Sequence, residues 1–79
     1  MTFHFRTHDG VHAVEPETVE LPDLTEARRE GVRRAGATLV LDARKLDPAK
    51  DWHLDVTDAD GTLLYRFEFV TTVAPAARG

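Results

Sequence analysis

The segment from Trp52 to Val70 constrains the fold more than any other part of the sequence. Its two arms alternate apolar and polar side chains, and residues 58–61 (Asp-Ala-Asp-Gly) lie between them. Such alternation is typical of half-buried β-strands, while Asp and Gly favour tight turns. The segment therefore predicts a β-hairpin with Gly61 in a left-handed conformation. Its inward face should carry Trp52, Leu54, Val56, Leu63, Tyr65, Phe67 and Phe69.

The first part of the chain predicts two further strands. Residues 2–6 alternate, with Phe3 and Phe5 on one side, as expected of a half-buried strand. Residues 18–21 also alternate but stand between two prolines. Because proline has no backbone N–H to donate, this second strand is expected at an edge of the sheet.

A single helix should follow these strands. Asp23 can accept a hydrogen bond from the first helical turn and Glu26 stands three residues later, a helix-start pattern, whereas residues 47–48 (Asp-Pro) should end the helix. Gly31 and Gly36 each weaken a helix interior by about 1 kcal/mol relative to Ala, so we expect them to allow close approach to the sheet. The helix face turned to the core should carry Leu24, Ala27, Gly31, Val32, Ala35, Leu39, Ala43 and Leu46.

Together these elements predict an α+β fold. One amphipathic helix packs on a three- or four-stranded, mainly antiparallel sheet in the chain order β-(β)-α-β-β. A chain of 79 residues makes one small domain whose core gives marginal stability. We assign residues 1–72 to this domain and residues 73–79, which have little to bury, to a flexible C-terminal tail.

Composition bounds the compartment and the chemistry. The chain has no cysteine, which excludes disulfides and thiolate metal sites. Residues 1–6 show no basic region followed by a long apolar run, and no window has the length needed to cross a bilayer, so we expect a cytoplasmic protein with no membrane partner. Serine and phosphate-cradling glycine loops are also absent from the sequence. We therefore expect a protein that is not an enzyme and has no cofactor.

One face of the predicted sheet is the main candidate for function. If the helix covers the apolar face, the opposite face carries mostly charged and polar side chains, and opposite charges on neighbouring strands stabilise a sheet by about 0.2 to 1 kcal/mol per pair. A solvated ladder of ion pairs thus explains this face without any ligand. Leu64 lies among the charges, however, and a small domain gains from burying it against a protein partner or a second copy. The expected interaction surface comprises His4, Arg6, His53, Asp55, Leu64, Arg66 and Glu68.

The sequence therefore favours a non-enzymatic protein-interaction module that can form dimers, through this face or through a strand edge. The helix arginines offer an alternative, nucleic-acid or regulator binding. Two glutamates interleave with them, and the formal net charge is −4, which gives no general attraction for phosphates. Nucleic acid is thus the less favoured partner. The basic cluster comprises Arg28, Arg29, Arg33 and Arg34.

A second alternative is a small metal or ligand site built from histidines. Residues four apart on a strand are separated by roughly 13 Å, so His4 and His8 cannot chelate one ion, whereas His4 could approach His53 across two strands. The turn at residues 58–61 resembles a calcium loop, but the first and last ligand positions would fall on Val56 and Phe67, which cannot ligate. We therefore predict no metal site as the primary function.

Three blocks of the sequence carry a family resemblance. They are residues 3–6 (Phe-His-Phe-Arg) followed by Asp-Gly, residues 19–24 (Val-Glu-Leu-Pro-Asp-Leu) leading into Glu-Ala-Arg, and residues 52–58 (Trp-His-Leu-Asp-Val-Thr-Asp) followed by Asp-Gly. In this order they resemble the DUF6894 family of small bacterial proteins. The resemblance implies a compact α+β domain that is usually a whole protein, and it brings no activity and no catalytic residues.

Overall fold

The computed structural model describes residues 1–8, 15–41, 52–69 and 72–77. The α+β class and the β-(β)-α-β-β chain order are confirmed, including the short second strand. Residues 72–77 are exposed and contain a single 3₁₀ turn, Pro75–Ala77. The other elements are β1 (Thr2–His8), β2 (Glu17–Glu20), α1 (Leu24–Leu41), β3 (His53–Asp58) and β4 (Leu63–Glu68).

The four strands form one antiparallel sheet in the order β2-β1-β3-β4. The predicted edge position of β2 is confirmed, and β4 occupies the other edge. Met1 and Leu21 continue the β1–β2 pairing, since Leu21 donates to the Met1 carbonyl at 3.0 Å and the Met1 amino group donates to the Leu21 carbonyl at 2.9 Å. The two central strands are therefore β1 and β3, which are separated in the sequence by β2 and α1.

The helix begins where its capping residue predicts. Asp23 Oδ1 accepts from the backbone N–H of Glu26 at 2.9 Å, and the Asp23 carbonyl accepts from Ala27 N at 3.1 Å. The first contact satisfies one of the amide groups that a helix start leaves unpaired, and the second is the first hydrogen bond of the helix itself. The structure describes the helix to Leu41, and the predicted stop at residues 47–48 lies outside the described residues, as do Ala43 and Leu46.

The core lies between α1 and the sheet. Phe3, Phe5, Leu54 and Val56 are at most 3% exposed, and Trp52 closes one end of the core by stacking on Phe69 with ring centroids 4.5 Å apart. Burying one such side chain stabilises a fold by about 1.5 to 3 kcal/mol. The predicted inward faces of β1 and β3 are confirmed.

The helix contacts this core through a narrower stripe than its periodicity predicts. Only the small residues Ala27, Gly31 and Ala35 are buried, whereas Val32 and Leu39 remain 53% and 43% exposed. Leu24, the other large residue of the predicted stripe that is described, is also 43% exposed. A helix that contacts a sheet through Ala and Gly lies close to it. Larger side chains on either side of these small residues then extend beyond the contact and stay exposed to solvent. The predicted burial of these three residues is therefore wrong.

Gly31 explains the close approach. A Cβ built at this position would lie 2.3 Å from Cε2 of Phe67, so the ring occupies the space that any other residue would need. At Gly36 nothing lies within 4 Å of such a Cβ. The expectation that both glycines allow close approach is confirmed for Gly31 and wrong for Gly36.

A β-bulge changes the orientation of two leucines in the hairpin. Val56 pairs with Tyr65 but Thr57 pairs with Leu63, which leaves Leu64 as an extra residue in β4. Leu64 is half-buried and packs against the core, and Leu63 is 48% exposed. The sequence predicted the reverse, because simple alternation takes no account of the inserted residue.

The hairpin turn forms as predicted. Gly61 has a φ of 84°, in the left-handed region. The Asp58 carboxylate accepts from the backbone N–H groups of Asp60 at 2.9 Å and Thr62 at 3.0 Å. Asp58 is thus the residue that organises the turn.

Candidate interaction site

The sheet face opposite α1, here called the outer face, carries a row of alternating charges. In this row Arg6 lies opposite Asp55, and Asp55 lies opposite Arg66. Arg66 donates to both carboxylate oxygens of Asp55, from Nε at 2.7 Å and from Nη2 at 3.0 Å. The Asp55 side chain is 19% exposed and that of Arg66 is 43% exposed. In the described residues, one pair of the predicted ladder, Asp55–Arg66, is present across β3 and β4.

These contacts hold both groups in their charged forms. The hydrogen bonds from Arg66 lower the pKa of Asp55 against the opposing effect of burial, and the positive charge of Arg66 lowers it further. The same hydrogen bonds raise the pKa of Arg66. Asp55 therefore remains ionised at any pH near neutral, with its two oxygens already bound within the chain.

The next row of the outer face contains a histidine pair that the sequence did not predict. His8 lies opposite His53, and their rings stack with centroids 4.9 Å apart at an angle of 8°. His53 Nε2 is also 3.6 Å from Asp55 Oδ2. Glu68 lies opposite His53 on the β4 side and ends this row.

The alternative in which His4 approaches His53 to form a metal site is wrong. The β1–β3 register places His4 opposite Thr57, and its Nδ1 lies 3.0 Å from Thr18 Oγ1 on β2. His4 is thus four residues along β1 from His8, the partner of His53, which corresponds to roughly 13 Å. Within residues 1–8, 15–41, 52–69 and 72–77, no group of three His, Asp or Glu side chains is placed to hold a metal ion.

A depression of about 440 Å³ lies at the turn end of the outer face. His4, Arg6, Asp55 and Thr57 line it together with residues of the hairpin turn. Asp55 is the carboxylate that β3 contributes to this depression. Both of its oxygens already accept hydrogen bonds from Arg66, so they are not available to a ligand there. Six of the seven predicted surface residues do lie on the outer face, and Leu64 is the exception.

Among the residues that the structure describes, three of the four helix arginines form ion pairs with glutamates. Arg29 contacts Glu26 at 2.6 Å and Arg33 contacts Glu30 at 2.6 Å. Arg34 also contacts Glu30, at 3.1 Å. Each of these pairs joins residues three or four apart, as is usual on a solvated helix face.

Arg34 also contacts the sheet, which the sequence did not predict. It donates to both carboxylate oxygens of Glu17 on β2, at 2.6 and 3.3 Å, and its guanidinium lies 4.8 Å from the centroid of the Phe5 ring. The hydrogen bond from Arg34 lowers the pKa of Glu17 and, in return, raises that of Arg34. Arg34 therefore joins α1 to β2, and no local pattern connects residues this far apart in sequence.

The second surface is a groove between α1 and β4, here called the α1–β4 groove. It has a volume of about 400 Å³ and is bordered on the sheet side by residues 66–69. Val32, Ala35, Gly36 and Leu39 form its helix side. The exposure of Val32 and Leu39, unexpected from the helix periodicity, arises because they border this groove.

The two edges of the sheet differ in how well they are protected. β2 has four residues, two of them glutamates, and stands between Pro16 and Pro22, and these features discourage strand addition. β4 has six residues, LLYRFE, with no proline or lysine among them. Residues 66–69 also border the α1–β4 groove, so a strand added at this edge would gain hydrogen bonds and apolar contacts together.

Comparison with known proteins places the chain in a family. No curated protein and no solved structure matches it. In the described residues, no helix is both long and apolar enough to cross a membrane. The family model of a domain of unknown function, DUF6894, matches residues 2–70, which include all four strands and the helix. The chain belongs to the DUF6894 family.

Proposed function

We propose that this chain is a cytoplasmic, non-enzymatic protein-interaction module that binds its partner along the edge of β4 and in the α1–β4 groove. The observation that carries this proposal is the position of β4, a six-residue edge strand with no further strand paired to it among the described residues, beside exposed apolar helix residues. Unpaired backbone groups favour an added strand, and Val32 and Leu39 supply apolar area for the partner to cover.

The contacts that already exist on the outer face also support the choice of the β4 edge as the binding site. The Asp55 carboxylate is bound by Arg66, and His53 stacks on His8. A partner that docked on the centre of this face would have to compete with contacts that already exist. Arg66 and Glu68 also border the groove, where their charges can select a complementary partner.

The non-enzymatic part of the proposal is supported by the composition of the groove. Its helix side carries only Val, Ala, Gly and Leu, and its sheet side adds one arginine, one glutamate and two phenylalanines. General acid–base or nucleophilic catalysis needs a nucleophile and a base within hydrogen-bond reach of a substrate. Apolar contact is what this lining favours.

Site-specific photo-cross-linking tests the proposal. A benzophenone amino acid is placed at Leu39 in the groove or at Leu63 on the β4 edge, in cells that produce the protein. Matched control variants carry the same group at Thr18 on the β2 edge and at Arg29 on the solvated helix face. We expect a discrete cross-linked adduct from the first two positions and none from the controls. Adducts from all four positions alike, or from none, would overturn the proposed site.

A further inference from the structure

We infer that the partner at this edge is a second copy of the chain, paired antiparallel along β4 about a two-fold axis that passes Phe67. The inference rests on the proposed function, since it names the occupant of the same edge and groove. It is carried by the order of side chains in β4 and by the side of the sheet on which each lies.

Symmetry restricts the registers available to two β4 strands. In an antiparallel pair, directly opposite residues point to the same face, and along a strand the faces alternate. Two identical strands related by a two-fold axis must therefore place one residue opposite its own copy. In the regular part of β4, beyond the bulge, that residue is Tyr65, Arg66, Phe67 or Glu68.

Charge separates these registers. An axis at Arg66 or at Glu68 sets a like charge directly against its copy, and an axis at Tyr65 sets Arg66 opposite Leu64. The axis at Phe67 sets Arg66 opposite Glu68 of the second copy, and by symmetry this contact occurs twice. Opposite charges facing each other across strands stabilise the pairing, and like charges destabilise it.

The Phe67 register also continues the charge order of the outer face. Across the sheet, the row of Arg6, Asp55 and Arg66 would be followed by Glu68 of the second copy, so the signs keep alternating. Arg66 is already oriented by its two hydrogen bonds to Asp55 and is still 43% exposed, which leaves room for a second carboxylate. Little side-chain freedom is lost when it binds again.

On the sheet face that packs on α1, the side chains of the two copies also pair favourably in this register. Phe67 lies opposite its copy, and Tyr65 lies opposite Phe69. All three are half-buried in the single chain and pack at the margin of the core. Aromatic pairs across neighbouring strands are among the more favourable cross-strand contacts.

The helices complete the interface. α1 packs on both β3 and β4, and neighbouring strands lie about 4.8 Å apart. A two-fold axis beside β4 therefore brings the two copies of α1 to about 10 Å from each other, a normal distance for packed helices. Val32 and Leu39, which are 53% and 43% exposed, would fill the space between them.

A charge exchange tests the partner and the register together. Sedimentation equilibrium should show a dimer for the unmodified chain. Arg66→Glu alone sets Glu against Glu at both contacts, and Glu68→Arg alone sets Arg against Arg, so each should weaken the dimer by about tenfold or more. An equimolar mixture of the two variants pairs opposite charges again, so native mass spectrometry should show a heterodimer in preference to either homodimer. Glu20→Arg on β2 is the matched control and should leave the dimer intact.

A second measurement does not depend on how Arg66→Glu folds. The chain has no cysteine, so Arg66→Cys mixed with Glu68→Cys should give a disulfide-linked heterodimer on oxidation, in higher yield than either variant alone. A dimer in which neither mixture favours the heterodimer would overturn the register. A strict monomer at every concentration would overturn the second copy as the partner. If photo-cross-linking at Leu39 and Leu63 then gave adducts with a different protein, the proposed function would still be supported. If it gave no adducts, both the proposed function and the dimer would be overturned.

Discussion

Replacing Gly31 with alanine measures how tightly α1 rests on the sheet. The added methyl carbon would lie 2.3 Å from Cε2, 2.7 Å from Cζ and 3.2 Å from Cδ2 of Phe67. Carbon atoms pack best at about 3.5 to 4.0 Å, so the ring must rotate or the helix must move outward. Because Phe67 is only half-buried, we expect the ring to yield first, at the expense of its packing on the helix.

Two effects of opposite sign set the magnitude. Overpacking of this kind destabilises a fold by about 1 to 3 kcal/mol. Alanine in a helix interior is favoured over glycine by about 1 kcal/mol. The sum predicts that Gly31→Ala lowers the free energy of unfolding by up to about 2 kcal/mol. Gly36→Ala is the matched control, since nothing lies within 4 Å of its new methyl group, and it should raise stability by up to about 1 kcal/mol.

Thermal and urea denaturation followed by circular dichroism give both values at one fixed protein concentration, since self-association alters the midpoint. For a domain of this size, each kcal/mol corresponds to about 4 to 8 °C in Tm. Phe67→Leu in both glycine backgrounds adds a double-mutant cycle, and it should remove most of the Gly31→Ala penalty. If Gly31→Ala stabilised the protein as much as Gly36→Ala, the close contact with Phe67 would be refuted.

Three further predictions concern polar contacts. Asp58→Ala removes the acceptor for two turn amides and should lower the free energy of unfolding by about 1 to 2 kcal/mol, measured by urea denaturation; no change would contradict its role in the turn. Arg34→Met keeps an apolar stem over the Phe5 ring but loses the cation–π contact and the hydrogen bonds to Glu17 and Glu30, so by the same urea denaturation it should destabilise the domain by at least about 0.5 to 1 kcal/mol; unchanged stability would contradict its role in joining α1 to β2. The lowered pKa of Asp55 implies stability that is present above the unfolded value of about 3.9 and is lost as the pH falls through the folded value. Asp55→Asn removes this titrating group, so the free energy of unfolding should fall less on acidification than it does in the unmodified protein. An unchanged dependence on pH would show that the ion pair with Arg66 contributes no stability in solution.

The parts of the fold that depend on local pattern could be predicted from the sequence. Alternation in residues 52–56 placed Trp52, Leu54 and Val56 in the core, because a strand turns successive side chains to opposite faces. Asp23 located the helix start, since its side chain binds an amide only three residues away. Such signals need no knowledge of the rest of the chain.

The parts that depend on pairing between distant segments could not be predicted in the same way. The register of β1 on β3 decides that His8, rather than His4, lies opposite His53, and nothing within either strand fixes that offset. The bulge reversed Leu63 and Leu64 for the same reason, since an inserted residue is visible only against the partner strand. The groove followed from the narrow contact of α1, which depends on the position of the helix axis rather than on its periodicity.

The pairing of β1 with β3 has a consequence for how the chain folds. The β1–β2 pair joins nearby segments, whereas β1 and β3 are separated by the whole of α1. During synthesis the first two strands and the helix are therefore complete before β3, the second pairing partner of β1, exists. Contacts between segments this far apart in sequence slow folding, because closing the long loop between them costs conformational entropy before any contact forms. We expect the closing of β1 on β3 to be the late, rate-limiting event, and until then the open edge of β1, which carries Phe3 and Phe5, is prone to pair with other chains.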